Sequence, residues 1–435
     1  MSLVAQRRSS SSYRKGWCPG ALKPMETGDG LLARVRAPRV RLSLDQADTV
    51  ANAAIRCGNG SIGLSARANL HIRGVTEQTL PDLHARLEEA GLIDADPEVE
   101  RLRNIVMSPI DDLDPEAAFD LGPGVAALET RLEEDRRLRR LPPKFSIVVD
   151  AQGRLPLGDI DGDIRFEASR DGTFAAFVAG EDALAAECGS SEIGDTAARL
   201  ALAFLRLAGD EAGPRRMWAL VERKGAEALF AAAACDTKPR NRSRRRASLR
   251  DVLGAHAYGA DLVVGAAASF GGIEAARFKA LIERARFLGA DSLRLTPWRA
   301  FLISGLDPRD AESMVDSAAN LGFIVDPDEP CLRVAACPGA PACAHGARRV
   351  RDDARRWSRM LPKGDGVLLH VSGCAKGCAR PAPTAATFTA TAAGYDLILE
   401  GRAGDSPAWR DLSSAEVAEF LASEGARIFT PKRPK

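Results

Sequence analysis

Ser61-Ile-Gly-Leu-Ser65-Ala-Arg67-Ala-Asn69-Leu-His71-Ile-Arg73-Gly74-Val75 decides the fold, because the chain carries it twice. The second copy is Ser292-Leu-Arg-Leu-Thr296-Pro-Trp298-Arg-Ala-Phe-Leu-Ile-Ser304-Gly305-Leu306. At an offset of 231 residues Ser61 falls on Ser292, Leu64 on Leu295, Ile72 on Ile303 and Gly74 on Gly305. The same offset carries Gly58 onto Gly289 and Gly91 onto Gly322. With one residue dropped, Pro97 meets Pro327 and Arg103 meets Arg333. An internal duplication of this length means two related structural units in one chain.

Working outward, each copy reads as strand, helix, strand, helix. Leu31 to Val40 and Ser61 to Gly74 carry apolar and β-branched residues at strand spacing. Leu44 to Ile55 and Thr79 to Ala90 carry them at helical spacing, as do Ile273 to Leu288 and Pro308 to Leu321. Each copy therefore looks like half of a ferredoxin-like α+β unit, and the two halves are expected to pack as an intramolecular pseudo-dimer. A shared cleft between related halves is a common ligand site. The expected organisation is a disordered tail at 1–15, a half-repeat at 16–98 and an α/β substrate-binding lobe at 99–236. A basic linker at 237–250, a second half-repeat at 251–330 and a final lobe at 331–435 complete it. The linker rests on the run Lys238 to Arg246, which has no apolar side chain able to anchor it.

Composition narrows the function. The 435 residues are 45% apolar and 27% charged, with a formal net charge of +1, which suits a soluble globular protein and not a nucleic-acid or membrane-surface binder. No apolar run approaches the roughly 20 residues of a membrane span, and Met1 to Lys15 does not read as a secretory signal. A cytoplasmic location is expected, where the nine cysteines would not be disulfides. Gly58-Asn-Gly60-Ser-Ile-Gly63 leads into a strand instead of opening a helix, so it is not a dinucleotide fingerprint.

Four of the cysteines carry the chemistry. Cys337-Pro-Gly-Ala-Pro-Ala-Cys343 and Gly373-Cys374-Ala-Lys-Gly-Cys378 space thiols as C-x5-C and C-x3-C, with glycines that let backbone N–H groups approach sulfur. Structural zinc favours shorter C-x2–4-C pairs. A 4Fe–4S cluster on Cys337, Cys343, Cys374 and Cys378 is the expectation.

These cysteine pairs and the duplicated halves resemble the siroheme nitrite/sulfite reductase superfamily, from Gly16 onward. The resemblance implies the nitrite/sulfite reductase fold: two ferredoxin-like half-repeats as a pseudo-dimer plus two α/β lobes, the C-terminal one carrying the cluster. Ser65 to Gly74, Arg103-Asn104-Ile-Val and Leu141-Pro-Pro-Lys144-Phe145 match its tetrapyrrole-facing segments. The match assigns Arg67, Asn69, Arg73, Arg103 and Lys144 to binding the tetrapyrrole, with Arg67, Arg103 and Lys144 also at the reacting centre. Guanidinium forks suit a polycarboxylate ligand.

Two positions depart from the reductases: Ser146 stands where a second lysine is expected, and Ala385 where an acid is expected. The chain instead resembles the precorrin-3B synthase branch, through Trp17-Cys18-Pro19-Gly20, Pro24 to Arg34, Leu141 to Phe145 and Gly373 to Pro381. That resemblance implies an oxidoreductase of aerobic cobalamin synthesis, a monooxygenase hydroxylating precorrin-3A at C20 with O2 and closing a γ-lactone. It also implies a mononuclear non-haem iron, and an electron-donor protein or NADH-linked reductase as partner, for a monomer or weak oligomer. Neither His71, His84, His256, His345 and His370 nor Asp159, Asp161 and Asp163 single out that iron's ligands. The alternatives are an assimilatory nitrite or sulfite reductase, with siroheme as cofactor, and a non-catalytic electron-transfer or tetrapyrrole-carrier protein.

Overall fold

A computed structural model describes residues 19–94, 96–209 and 213–429. The expected tail, Trp17 and Cys18 lie outside the described residues. Strand Gly30–Val35 is matched by Asp261–Ala267, helix Leu44–Cys57 by Ala275–Phe287, and helix Leu80–Glu89 by Ala311–Asn320. The repeat extends to backbone strain at the offset of 231: Arg39 and Phe270 have φ of 52° and 54°, and Ala68 and Arg299 have 52° and 60°.

One expectation fails in both copies. The strand expected over 61–74 is a hairpin, Ser61–Leu64 and Leu70–Val75, and its counterpart is Ser292–Leu295 and Ala300–Leu306. Side chains close the turn without glycine: Ser65 Oγ accepts from the N–H of Arg67 and of Asn69, and Thr296 Oγ1 donates to Ala300 O. The strand expected over 31–40 likewise stops at Val35, where the left-handed Arg39 sits in a 3-10 turn, Pro38–Val40.

The halves are interlocked by an exchange of short strands. Gly272–Glu274 of the second half completes the first sheet against Ser61–Leu64, with Ile273 opposite Ile62. Arg41–Ser43 of the first half completes the second sheet against Ser292–Leu295, with Leu42 opposite Leu293. Each exchanged strand leads directly into a helix, and the one starting at Leu44 is fixed by a Ser43/Gln46 capping box. Ala47, Val50, Ala51 and Ala54 of that helix are fully buried. Small residues on this face let Leu44–Cys57 pack closely on Ala275–Phe287.

The two lobes also share one topology. Ile105–Met107, Ile147–Asp150 and Ile164–Ala168 run parallel, then Thr173–Val178 and Leu184–Gly189 turn antiparallel. Val334–Ala336, Leu369–Ser372, Thr384–Ala390, Tyr395–Gly401 and Trp409–Leu412 repeat that order.

The basic run is not a free linker. Thr237–Pro239 pairs with Leu184–Gly189 as an edge strand of the first lobe. Beyond it, Arg242 Nη2 donates to Gly158 O at 2.8 Å and Nη1 meets Asp182 at 3.2 Å. Ser243 N–H donates to Glu167 at 2.9 Å, and Gly158 N–H to Arg245 O at 2.9 Å. Carboxylates and backbone carbonyls anchor this segment where apolar side chains are lacking.

Between the first lobe and the half-repeats, Asp111 is buried and accepts from Leu121 N–H at 2.8 Å. Burial, reinforced by Asp112 and Asp120, pushes its carboxyl up from 3.8 to about 6. Below pH 4 the group is protonated in both folded and unfolded chains, so it costs nothing there. Between about pH 4 and 6 the unfolded chain releases this proton while the fold retains it, so stability falls progressively and the loss reaches at most about 3 kcal/mol above pH 6, where the fold holds a buried anion. Asp111→Asn keeps an acceptor for Leu121 and is therefore expected to raise the urea midpoint at about pH 7.5, with the advantage gone at about pH 4.

Candidate functional site

Parallel strands Val334–Ala336 and Leu369–Ser372 are neighbours and end side by side. Cys337 follows the first directly and Cys374 follows the second by two residues, so both thiols emerge at the carboxyl edge where α/β sheets commonly hold ligands. Gly373 N–H donates to Cys337 Sγ at 3.1 Å. The Cys337–Cys343 loop is closed by Cys343 N–H to Gly339 O, and Ala347 N–H ties it to Gly373 O, at 2.8 and 2.9 Å.

This cradle requires glycine. A Cβ on Gly373 would lie 3.0 Å from Gly339 Cα, and one on Gly346 would lie 2.5 Å from Ala340 N. Gly377, between Cys374 and Cys378, has φ of 64°. On the opposite wall a Cβ on Gly28 would meet Pro341 O at 2.1 Å, so the first half-repeat presses directly on the cysteine loop.

Burial pushes the Cys374 and Cys378 thiols up, and the Cys337 and Cys343 sulfurs push in the same direction, which brings all four into one electrostatic group. Cys331 stands apart, bonded to Ser358 Oγ at 3.4 Å, and Cys57 donates to Asp82 at 3.2 Å. Cys57 and Cys188 are core residues. Among the described residues no three His, Cys, Asp or Glu side chains are arranged to hold a single metal ion. A four-iron cluster asks for something else, one thiolate per iron from four chain positions.

The charge around the cysteines favours a bound anion. Arg299 and Arg351 are largely buried and Arg380 half-buried, and among the described residues none of them forms an ion pair with a carboxylate. Arg299 reaches only Ala379 O at 3.4 Å, and Arg351 reaches Phe270 O at 3.2 Å. The Arg351 Nε and Arg380 Nε atoms are buried without a partner. Burial, with repulsion from Arg73, brings Arg351 down to about 10. Uncompensated buried cations are costly, and a multiply charged thiolate cluster or a carboxylate would supply the missing charge.

The expected tetrapyrrole residues divide. Arg73 is fully engaged: it forks onto Asp29 at 2.8 and 3.0 Å and also donates to Ala342 O of the cysteine loop. It fastens the half-repeat to that loop and does not stand open to a ligand. Arg103 forks onto Asp94 at 2.8 and 3.1 Å and approaches Glu129 at 3.6 Å. Even so, it lines a cavity together with Arg36, Arg39 and Asn69. Asn69 is buried and donates to Arg67 O at 3.0 Å, which sets the hairpin turn that carries half-buried Arg67. Lys144 is exposed, and among the described residues no hydrogen bond or ion pair fixes it.

Other sequence candidates prove structural. Fully buried Asp163 accepts from the N–H groups of Ser146 and Met217 and from Arg216. His84 bonds Ala21 O and His256 bonds Leu253 O. His71 differs: Arg34 Nε donates to its Nε2 at 3.1 Å, and burial with Arg34, Arg73 and Arg36 holds it well below its ordinary pKa, so the neutral ring keeps its proton on Nδ1. Arg351 was not legible as a site residue, since it stands outside any spaced motif, whereas Arg299 lies within the second repeat copy and His370 opens the segment leading to Cys374 without its role being marked.

Residues 23–90 match the family model of the nitrite/sulfite reductase ferredoxin-like half domain. A precorrin-3B synthase from Sinorhizobium sp is 32% identical over 422 residues, spanning 94% of this chain and 87% of that protein. The chain belongs to the precorrin-3B synthase family. A ferredoxin–nitrite reductase from Leptolyngbya laminosa is 27% identical over 188 residues, 40% of this chain and 37% of its own length. The structure of the Mycobacterium tuberculosis NirA protein superposes with a TM-score of 0.72 at 17% identity, covering 91% of this chain and 80% of that one. This chain and the NirA protein thus share one fold, the α+β pseudo-dimer with two lobes described above. The named relatives are enzymes, and among the described residues no helix is long and apolar enough to cross a membrane.

Proposed function

We propose that this chain is a precorrin-3B synthase acting as a monooxygenase. It would insert one oxygen atom of O2 at C20 of precorrin-3A, with γ-lactone closure by a ring acetate. The second oxygen leaves as water, taking two electrons and two protons from a separate donor, a reductase protein or an NADH-linked one. The observation that carries the reading is the set of Arg299, Arg351 and Arg380, without ion-pair carboxylates among the described residues, near the cysteine loops (Arg351 facing Cys337 and Arg299 bonded to Ala379 O), in a chain that resembles a precorrin-3B synthase along 94% of its length.

Cys337, Cys343, Cys374 and Cys378 would hold a 4Fe–4S cluster, whose chemistry is one-electron transfer. Arg67, Asn69, Arg103 and Lys144 would grip the tetrapyrrole carboxylates, with Lys144 free to swing onto one. Arg73 keeps the cysteine loop seated against the half-repeat that carries Arg67. His71 offers a neutral N–H donor on the same strand as Arg73, so this part of the site can hold a substrate oxygen without adding charge. The described residues do not fit a mononuclear iron, because no donor group of that kind is assembled among them.

The test is reduced enzyme, an artificial donor and precorrin-3A under isotopically heavy dioxygen, followed by mass spectrometry. Gain of one heavy oxygen atom is expected. An unchanged tetrapyrrole together with nitrite or sulfite reduction would put the chain among the reductases, and binding without turnover would make it a carrier.

A further inference from the structure

His370 lies on strand Leu369–Ser372, four residues before Cys374, and is fully buried. Neither of its ring nitrogens has a hydrogen-bond partner. An imidazole sealed from water with both nitrogens idle loses the hydration of two polar atoms, which costs a few kcal/mol unless something else binds them.

The sheet does not need a histidine there. In the first lobe the register runs Val106, Val148, Arg165 across three parallel strands, and in the second it runs Ala335, His370, Thr387. His370 therefore stands where the related lobe has Val148, which packs with Val106 and Leu157 as plain apolar core. What distinguishes the second lobe at this end is the pair of cysteine loops. The Gly377 backbone turns over the ring, close enough that a Cβ there would lie 3.6 Å from His370 Cε1.

Polar groups beside the ring are already committed. Thr387 Oγ1 donates to Gly401 O at 2.8 Å, and Ser372 Oγ donates to Cys374 O at 2.7 Å. Arg299 and Arg380 face His370 as cations and can accept nothing from it. Among the described residues neither ring nitrogen finds a hydrogen-bond partner, although a neutral or a charged ring carries at least one N–H.

We infer that His370 is a positioning residue of the cysteine centre, donating an N–H hydrogen bond to a sulfur of the group that Cys374 and Cys378 help to hold. This rests on the cluster reading above and adds a residue to it. A hydrogen bond to cluster sulfur stabilises the more negative, reduced state, so His370 would raise the potential at which the centre accepts an electron.

The experiment uses full-length protein, wild type beside His370→Leu and His370→Gln, all purified anaerobically. Iron and sulfide content are measured first, then the midpoint potential by redox titration, then pulsed EPR of reduced protein grown on isotopically labelled histidine. The expected result is iron content retained in both variants and a midpoint moved to more negative potential in His370→Leu. His370→Gln, which keeps an N–H donor, should recover part of the shift. A histidine nitrogen coupling should be present in wild type alone. Loss of iron in His370→Leu but not in His370→Gln also supports the inference, since only the donor distinguishes them. An unchanged midpoint with full iron overturns it and leaves the ring bonded to a buried water. Loss of iron from both variants overturns it too, making His370 a packing residue. Wild-type protein without iron or sulfide would fell the cluster reading itself, a separate failure seen before any variant is compared.

Discussion

Alanine at any one of Cys337, Cys343, Cys374 or Cys378 is expected to reduce bound iron from about four per chain to near zero and turnover to background. The expectation follows from placement. These thiols come from two loops at the ends of adjacent parallel strands, and Gly373 N–H already points at Cys337 Sγ. Losing one ligand leaves three thiolates to hold the cluster beside buried cations that remain unbalanced. Cys57→Ala and Cys188→Ala are the controls, since both thiols are buried in the main hydrophobic core. Their iron and sulfide should equal wild type, at a stability loss of about 1 kcal/mol. Equal iron in wild type and Cys374→Ala would remove that residue from the centre.

The largest stability effect is expected at Glu100. Its carboxylate meets Arg36 at 3.0 Å, with side-chain exposures of 4% and 5%, and also accepts from the N–H groups of Ala21 and Leu22. Gly20 is required beside it, because a Cβ there would lie 2.3 Å from Glu100 Oε2. This single acid thus anchors the segment entering the first half-repeat. Glu100→Ala would strand a buried guanidinium without its carboxylate and leave two N–H groups unbonded. A loss of about 3–5 kcal/mol is expected by urea titration followed with circular dichroism. Replacing both partners, Arg36→Met with Glu100→Leu, should recover most of that loss, because no buried charge then remains unbalanced. A single-variant loss below 1 kcal/mol would mean that water reaches the pair.

The duplication was legible because the glycines at 74, 91, 305 and 322 all take left-handed backbone, which few other residues tolerate. The strand exchange was not. Ile273 finds Ile62 more than two hundred positions away, and nothing in the alternation of either strand names its partner. The hairpin turns escaped for a different reason: Ser65 and Thr296 build them with hydroxyls, where sequence reading looks for glycine or Asn-Gly. Beyond the match of Arg103 with Arg333, kinship between the lobes survives in strand order and register, with Val148 and His370 as the instructive pair.

At the site, the cysteines could be read because their spacing is rigid chemistry. Arginines carry no such mark. Arg73 fits a ligand-binding motif yet is spent on Asp29 and the cysteine loop, a commitment set by a residue 44 positions earlier. Arg299 and Arg351 look ordinary in sequence and matter only because the fold buries them without acids.

The most direct measurement is iron, acid-labile sulfide and acid–acetone pigment extraction on one anaerobically purified sample. About four irons and four sulfides per chain with no extractable haem are predicted, the signature of a cluster whose tetrapyrrole comes and goes as substrate. Stoichiometric siroheme, or the absence of both iron and sulfide, would contradict it.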